Sequence, residues 1–80
     1  HDADAKVLAH EPGKGKYAGQ CGALKCQMLD SGKEFRCGSG MTDADRVNPP
    51  SVGAIIIYRY FELTPDGVPR FPTFVGVRGD

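Results

Sequence analysis

The residues best suited to bind a charged ligand are two arginines near the end of the chain, Arg70 and Arg78. They flank a run of aromatic and β-branched residues, and the segment 69–80 is predicted as one β-strand, which would separate them by roughly 26 Å. A guanidinium group is planar, keeps its charge and pairs bidentately with phosphate oxygens. The pattern predicts phosphate recognition at two separate points. Solubilisation of an edge strand is the alternative.

A second group of candidate residues lies in the glycine-rich segment 13–19, which contains Lys14, Lys16 and Tyr17. Its glycines would allow a close approach of the backbone, so that the lysines reach phosphates and the tyrosine packs beside a sugar. The segment also fits a dinucleotide-binding pattern, but that pattern requires a helix to follow, and a strand is predicted here. We interpret the segment as a nucleic-acid contact, with an ordinary solvated turn as the alternative.

The sequence contains no arrangement typical of a catalytic or metal site. The serines have no histidine and acid in a relay pattern, and both histidines lie near the N-terminus. Three cysteines, Cys21, Cys26 and Cys37, show no zinc spacing, and their odd number argues against a secreted disulfide framework. We predict that they fill the core of a domain in a reducing compartment.

Length and composition restrict the class of fold. The chain has 80 residues, enough for one domain, and its 11 glycines and six prolines favour short strands and turns. No apolar segment approaches the about 20 residues of a membrane-spanning helix. The formal net charge is zero, so a polyanion would have to meet a local basic patch. Because the first residue is histidine rather than methionine, we expect a fragment of a larger protein.

Five strands and one short helix are predicted to position the candidate residues. The predicted strands cover residues 3–11, 21–29, 34–38, 52–61 and 69–80. The helix covers residues 42–47, with Thr42 or Asp43 as its N-cap. Its place between the third and fourth strands is the connectivity of a five-stranded OB-fold barrel, an all-β fold. A five-stranded sandwich or an SH3-like barrel is the structural alternative.

Short motifs distributed over almost the whole chain together resemble one protein family. They are DA at 4–5, GKGKYAG at 13–19, GAL at 22–24, FRCGSGMTD at 35–43 with Arg46, NPPSVG at 48–53, YRY at 58–60, LT at 63–64 and PRFPTF at 69–74. In type and spacing they resemble the C-terminal OB domain of small ATP-dependent DNA ligases of the bacterial and large-DNA-virus type.

The resemblance implies an accessory domain, residues 1–80, that follows a nucleotidyltransferase domain. The chain has no Lys-x-Asp-Gly adenylation motif, so we expect no activity from it alone. The resemblance implies that Arg70, Arg78 and Asp80 orient the outer phosphates of ATP during self-adenylation, with Mg²⁺ in the parent enzyme. The domain would then turn and hold nicked duplex DNA in the minor groove.

The basic segment and the resemblance together predict a set of DNA-binding residues. The set comprises Lys14, Lys16, Tyr17, Arg36, Arg46 and Phe71. We expect a parent protein of DNA repair inside the cell, in the nucleoid or nucleus. The alternative is a noncatalytic ligase-type OB interaction module in a larger eukaryotic protein. Two departures from the family leave room for that alternative: the chain stops at the acid, where family members often continue with a basic residue, and its cysteines stand where ligases commonly carry Met, Val, Ile or aromatic residues.

Overall fold

The computed structural model describes residues 1–78, and within them it contains seven strands, one α-helix and one 3₁₀ turn. Strands β1 to β4 are Asp2–Pro12, Cys21–Met28, Glu34–Cys37 and Ile55–Arg59. Strands β5 to β7 are Glu62–Leu63, Pro69–Arg70 and Thr73–Val77. The helix α1 covers Asp43–Val47, and the 3₁₀ turn covers Gly15–Tyr17.

Five of the strands form one antiparallel sheet in the order β3-β2-β1-β4-β7, while β5 and β6 pair separately. Register shifts in β1 and between β4 and β7 bend the strands. A parallel bridge joins Ser39, just after β3, to Thr73 in β7, and the amide of Phe74 donates to the carbonyl of Ser39 at 2.8 Å. The two outer strands of the sheet are thereby brought together. This strand order, with α1 between β3 and β4, confirms the predicted OB-fold.

The core lies inside the curled sheet and is filled by alternate residues of its strands. In β2, Leu24 and Cys26 are buried while Lys25 between them is exposed, as the alternation of residue types predicts. Tyr58 of β4 packs against Phe35 of β3 with 4.7 Å between ring centroids. The buried core residues are Ala5, Val7, Cys21, Leu24, Cys26, Met28, Phe35, Cys37, Met41, Ile56, Tyr58 and Phe74.

All three cysteines are buried free thiols, so their predicted place in the core is confirmed. Burial raises the pKa of Cys26 to about 12, with a further contribution from the neighbouring Cys37. Burial likewise raises the pKa of Cys37 to about 11. These thiols are therefore neutral in the folded domain at physiological pH.

The short helix is fixed at its start by a capping box, which confirms Thr42 as the N-cap. The Thr42 hydroxyl accepts from the Asp45 amide at 3.1 Å, and the Asp45 carboxylate accepts from the Thr42 amide at 3.0 Å. This reciprocal pair satisfies two amide donors that a helix start otherwise leaves open. The helix thereby holds Arg46, its fourth residue, against the edge of β2.

The prediction of one terminal strand over residues 69–80 is wrong, because the strand is interrupted at Phe71. This residue has a φ of 56°, in the left-handed region that bulky side chains avoid, and Pro72 follows it. Arg70 therefore pairs with β5, whereas Arg78 follows β7 in the main sheet. The spacing expected for two arginines on one strand does not apply, and Asp80 lies outside the described residues.

The fourth strand is shorter than the predicted range 52–61. A turn in which the Ala54 amide donates to the Ser51 carbonyl precedes it, and Gly53 in that turn has a φ of 94°. None of the helices in residues 1–78 has the length and apolar character needed to cross a membrane.

Candidate nucleic-acid interface

Arg46 is the one buried charged residue in the described part of the chain, with an exposed fraction of 8%. Its Nη1 donates to the carbonyls of Cys21 at 3.1 Å and Gly22 at 2.8 Å, and its Nη2 donates to the carbonyl of Gly38 at 2.8 Å. No carboxylate among residues 1–78 pairs with it, so backbone dipoles stabilise the buried charge. Its Nε has no partner within the same residues.

The ring of Tyr17 covers the Arg46 guanidinium. The Cζ atom of Arg46 lies 4.1 Å from the ring centroid, and Lys16 Nζ lies 5.0 Å from the same centroid. Both distances are within the range of cation–π attraction. The half-buried tyrosine, expected from the sequence to pack beside a sugar, thus has a partner inside the domain.

Residues 13–19, which we call the basic loop, are pressed against β2 through two glycines. A Cβ on Gly22 would lie 2.7 Å from the Cα of Gly13, and a Cβ on Gly13 would lie 2.3 Å from the carbonyl oxygen of Tyr17. The amide of Gly13 donates to the carbonyl of Gln20 at 2.8 Å and closes the base of the loop. The absence of a side chain at Gly22 therefore allows the loop to lie on β2, and its absence at Gly13 allows Tyr17 to pack back on the start of the loop.

The positive charge that the basic loop presents belongs to Lys14 and Lys16. Both are exposed, and neither has a carboxylate partner among residues 1–78. Arg36 on β3 is also exposed, but its Nε lies 2.6 Å from Glu11 Oε1 at the end of β1. The loop lysines are therefore available to an external anion without first breaking an ion pair.

An open cleft of about 330 Å³ lies between the basic loop and the end of α1. Its wall includes Arg46, Gln20 and His10, whose Nε2 lies 2.5 Å from the carbonyl oxygen of Pro50. No group of three or more metal-ligating side chains occurs here or elsewhere in residues 1–78. The described residues thus offer an open cleft at the end of the basic loop, lined by both polar and apolar residues, and no metal centre.

The remaining candidate residues lie toward the other end of β1. Arg70 Nε is 3.3 Å from Glu62 Oε2 across the two-stranded β5–β6 pair. Phe71, directly after it, has 74% of its surface exposed, and Phe61 before β5 has 69% exposed. The Phe61 amide donates to the Arg70 carbonyl at 3.1 Å, which holds this hairpin together. Two phenylalanines therefore stand out from the surface beside an arginine.

Arg78 reaches across the main sheet to an acid on β1. Its Nη2 donates to Asp4 Oδ1 at 2.8 Å, while its amide donates to the carbonyl of Ile55 at 2.9 Å. Gly76, two residues earlier, would have no heavy atom within 4 Å of an added Cβ, so the surface is open there. Arg78 and Arg70 therefore have different acidic partners on different strands.

The structure brings the predicted residues together in two groups. β1 has 11 residues, so its ends lie up to about 33 Å apart. Pro12 leads directly into the basic loop, whereas Asp2 pairs with Arg59 just before the hairpin. The two groups of residues therefore lie toward opposite ends of β1.

Sequence reasoning missed Phe61 and the acids that face the candidate arginines. Phe61 lies within the apolar segment 52–61 that is predicted as the fourth strand. It directly follows Tyr60, and Tyr58 and Tyr60 alternate with Arg59, so Phe61 falls on the side of the strand opposite to the tyrosines. The pairing of Arg70 with Glu62 could have been found from the turn at 64–67, which makes a hairpin of the residues on either side. The Asp4–Arg78 pair joins residues 74 apart, and no local signal predicts it.

The strand order, the helix and the bridged sheet define the class of OB-fold domains. A family model described as DNA ligase OB-like domain matches residues 12–78, and the chain belongs to that family. The DNA ligase of Haemophilus influenzae is 41% identical over 71 residues, which are 89% of this chain and 26% of that protein.

Solved ligase structures have the same fold. One, from a structure–function study of Lig E DNA ligases and their DNA binding with a minimal scaffold, matches with a TM-score of 0.94 and 41% identity. That match covers 98% of this chain and 30% of the ligase. Chlorella virus DNA ligase-adenylate matches with a TM-score of 0.82 and 25% identity, over 100% of this chain and 31% of that protein. The chain thus spans under a third of the length of these relatives.

Proposed function

We propose that residues 1–80 are the accessory OB domain of an ATP-dependent DNA ligase. The observation that carries the proposal is the match of residues 12–78 to the DNA ligase OB-like domain family. The chain covers only 26% of the ligase from Haemophilus influenzae, which leaves length for a nucleotidyltransferase domain in a parent protein. That domain would hold ATP and Mg²⁺ and carry the adenylated lysine. The parent would act on DNA inside the cell.

In the first step, self-adenylation, Arg70 and Arg78 contact the outer phosphates of ATP, together with Asp80. Both arginine side chains are about half exposed; among the described residues Arg70 pairs with the exposed carboxylate of Glu62, and Arg78 pairs with the partly exposed carboxylate of Asp4. Such surface pairs are worth only about 0–1 kcal/mol, so a triphosphate that carries several charges can replace the carboxylates. Charge-assisted contacts of this kind would stabilise the pyrophosphate leaving group.

In the second step the domain binds nicked duplex DNA. Lys14 and Lys16 contact backbone phosphates, and Arg36 adds a contact at the neighbouring strand when Glu11 releases it. Phe71 makes an apolar contact in the minor groove, where side chains of this type insert beside base steps. Its exposure and its unfavourable backbone conformation both support a role in binding rather than in packing.

Arg46, expected from the sequence to contact DNA, has a different role in this proposal. Its Nη groups are bonded to three carbonyls, Tyr17 lies against it and its unpartnered Nε is buried, so the side chain presents no exposed donor to a phosphate on the surface. We assign the charge attraction for DNA to the loop lysines, and return to Arg46 below.

The test is single-turnover kinetics of each chemical step in the parent ligase. Arg70→Ala or Arg78→Ala should slow self-adenylation about 30- to 1000-fold, the equivalent of about 2–4 kcal/mol of transition-state stabilisation. Sealing by enzyme that already carries adenylate should be much less affected. Lys14→Ala with Lys16→Ala should do the reverse, sparing adenylation and weakening the binding of nicked DNA.

Adenylation at the wild-type rate in both arginine variants would refute the phosphate-orienting role. A parent protein without a nucleotidyltransferase domain would refute the whole proposal and leave the noncatalytic OB module as the function. The two variant sets serve as controls for each other, because each removes positive charge from only one end of the domain.

A further inference from the structure

We propose that Arg46 is a positioning residue that holds the basic loop in the shape in which Lys14 and Lys16 bind DNA, without contacting DNA itself. The inference rests on the proposed function, since it concerns how the same DNA-binding loop is ordered. It is carried by three observations: the carbonyl contacts of the guanidinium, the tyrosine on its face and the close glycine contacts beneath the loop.

The guanidinium is fixed in its own plane. Its three acceptors come from two separate segments, the start of β2 at Cys21 and Gly22 and the residue after β3, Gly38. Three in-plane hydrogen bonds set both the position and the tilt of a rigid group. Arg46 thus joins α1 to β2, on which the basic loop lies, and to Gly38, the residue after β3.

The same guanidinium makes a cation–π contact with the ring of Tyr17. A planar group that donates at its edge keeps its faces free for a ring, and the Arg46 Cζ atom lies over the Tyr17 ring, 4.1 Å from its centroid. A lysine ammonium has no such face, and its point charge cannot combine three in-plane bonds with a stacked ring. The arrangement is therefore specific to arginine.

Tyr17 transmits this position to the lysines. Its amide donates to the carbonyl of Lys14 at 3.1 Å, its backbone lies against Gly13, and the Lys16 ammonium lies 5.0 Å from its ring centroid. Both lysines are thus tied to the residue that Arg46 holds. A loop that is ordered before binding loses less conformational entropy when DNA arrives, and binds more tightly for that reason.

The experiment measures binding of the chain to duplex DNA over a series of salt concentrations, below the melting temperature of each variant. The variants are Arg46→Gln, which removes the guanidinium group and its charge, and Tyr17→Leu, which removes the aromatic ring and keeps every charge. Arg59→Gln is the matched control, because it removes an arginine charge at the far end of β1. Lys14→Ala with Lys16→Ala is the reference for lost phosphate contacts. Amide ¹⁵N relaxation of residues 13–19 in the free protein is recorded in parallel.

Arg46→Gln and Tyr17→Leu should each weaken DNA binding about three- to tenfold, with the log–log salt slope unchanged. In the free protein the amides of the basic loop should become more mobile in both variants. The double lysine variant should instead make the salt slope shallower by about 1.8, because each lost phosphate contact removes about 0.9. Arg59→Gln should behave as wild type.

A slope that becomes shallower by about 0.9 in Arg46→Gln would overturn the inference and make Arg46 a direct phosphate contact. Unchanged loop mobility in both variants, or unchanged affinity in Arg46→Gln, would also overturn it. If Arg46→Gln does not fold, loop mobility in Tyr17→Leu decides. If the double lysine variant binds as wild type does, the proposed DNA contact has failed, and the relaxation data still judge the anchoring of the loop.

Discussion

The two ends of β1 use the same residue type in opposite ways. At the basic-loop end, Arg46 is buried and donates to three backbone carbonyls, and the exposed charge belongs to lysines without acidic partners in the described residues. At the other end, Arg70 of the β5–β6 hairpin is exposed and faces a carboxylate, and so does Arg78, which follows β7. The buried arginine contacts only groups of its own domain, whereas the exposed arginines face carboxylates at the surface, where another anion can reach them.

The difference also concerns backbone strain. In the basic loop the positions with positive φ are glycines, Gly15 and Gly19, which adopt this conformation without a steric cost. The hairpin end places a phenylalanine, Phe71, in the same region of backbone space. The backbone of the basic loop is thus unstrained, whereas Phe71 keeps a disfavoured conformation of the kind that is common at functional sites.

The largest expected effect comes from disturbing the contact beneath the basic loop. Gly22→Ala places a methyl group 2.7 Å from Gly13 Cα and 2.9 Å from the Pro12 carbonyl oxygen, and both neighbours are backbone atoms that cannot move aside. We expect a loss of about 2–3 kcal/mol in the free energy of unfolding, or about 10–20 °C in melting temperature for a domain of this size.

Gly76→Ala in β7 is the matched control for that substitution. A methyl group there meets no heavy atom within 4 Å, so stability should stay within about 0.5 kcal/mol of wild type. Thermal and urea unfolding of both variants give the comparison. Equal losses in the two variants would mean that the loop is not held by close backbone contact.

The next prediction, at the β5–β6 hairpin, is an increase in stability rather than a loss. Phe71→Asn replaces a residue that the left-handed region disfavours by one that tolerates it, and loses little burial because Phe71 is 74% exposed. We expect the free energy of unfolding to rise by about 1 kcal/mol, while affinity for duplex DNA falls. Urea denaturation and a DNA titration check the two results. Reduced stability would show that the conformation of Phe71 is not strained.

The smallest effect concerns the core that joins the two ends. Burial raises the pKa of Cys26 to about 12 and of Cys37 to about 11 from an ordinary thiol value of 9.0. Raised thiol pKa values stabilise the fold below the unfolded pKa, and this contribution is lost as pH rises toward the folded values, because only the unfolded chain ionises there. Between pH 8 and pH 9 the free energy of unfolding should fall by roughly 0.7 kcal/mol for the two thiols together.

Urea unfolding at a series of pH values measures this slope. The double variant Cys26→Ala with Cys37→Ala should be less stable at every pH, but its stability should decline less between pH 8 and pH 9. The same decline in the variant and the wild type would assign the pH dependence to other groups.

Much of the sheet could be predicted from the sequence, because its signals are local. The alternation of Leu24, Lys25 and Cys26 gives β2 its buried face, and Thr42 with Asp45 gives α1 its start. Phe71 was predicted within a strand because it is aromatic, yet the chain turns there. Residue preference alone does not predict that break, since it depends on the pairing of β6 with β5.

The candidate site could be predicted in location but not in detail. The glycines and lysines of the basic loop are adjacent in sequence, so their grouping is visible from the residues alone. The burial of Arg46 depends on carbonyls that lie 24 and 25 residues earlier in the chain. From the sequence alone, a basic residue in a short helix is expected to lie on the surface, and only the positions of β2 and β3 show that Arg46 is buried.

The place of β1 in the sheet has a consequence for the time order of folding. β1, β2 and β3 are joined by short connections of eight and five residues, whereas β4 reaches β1 by pairing Asp2 with Arg59. Closing a long loop costs more chain entropy than closing a short one. We therefore expect the β1–β3 meander and the basic loop to form early, and the barrel to close last, when β7 docks and the bridge at Ser39 is made.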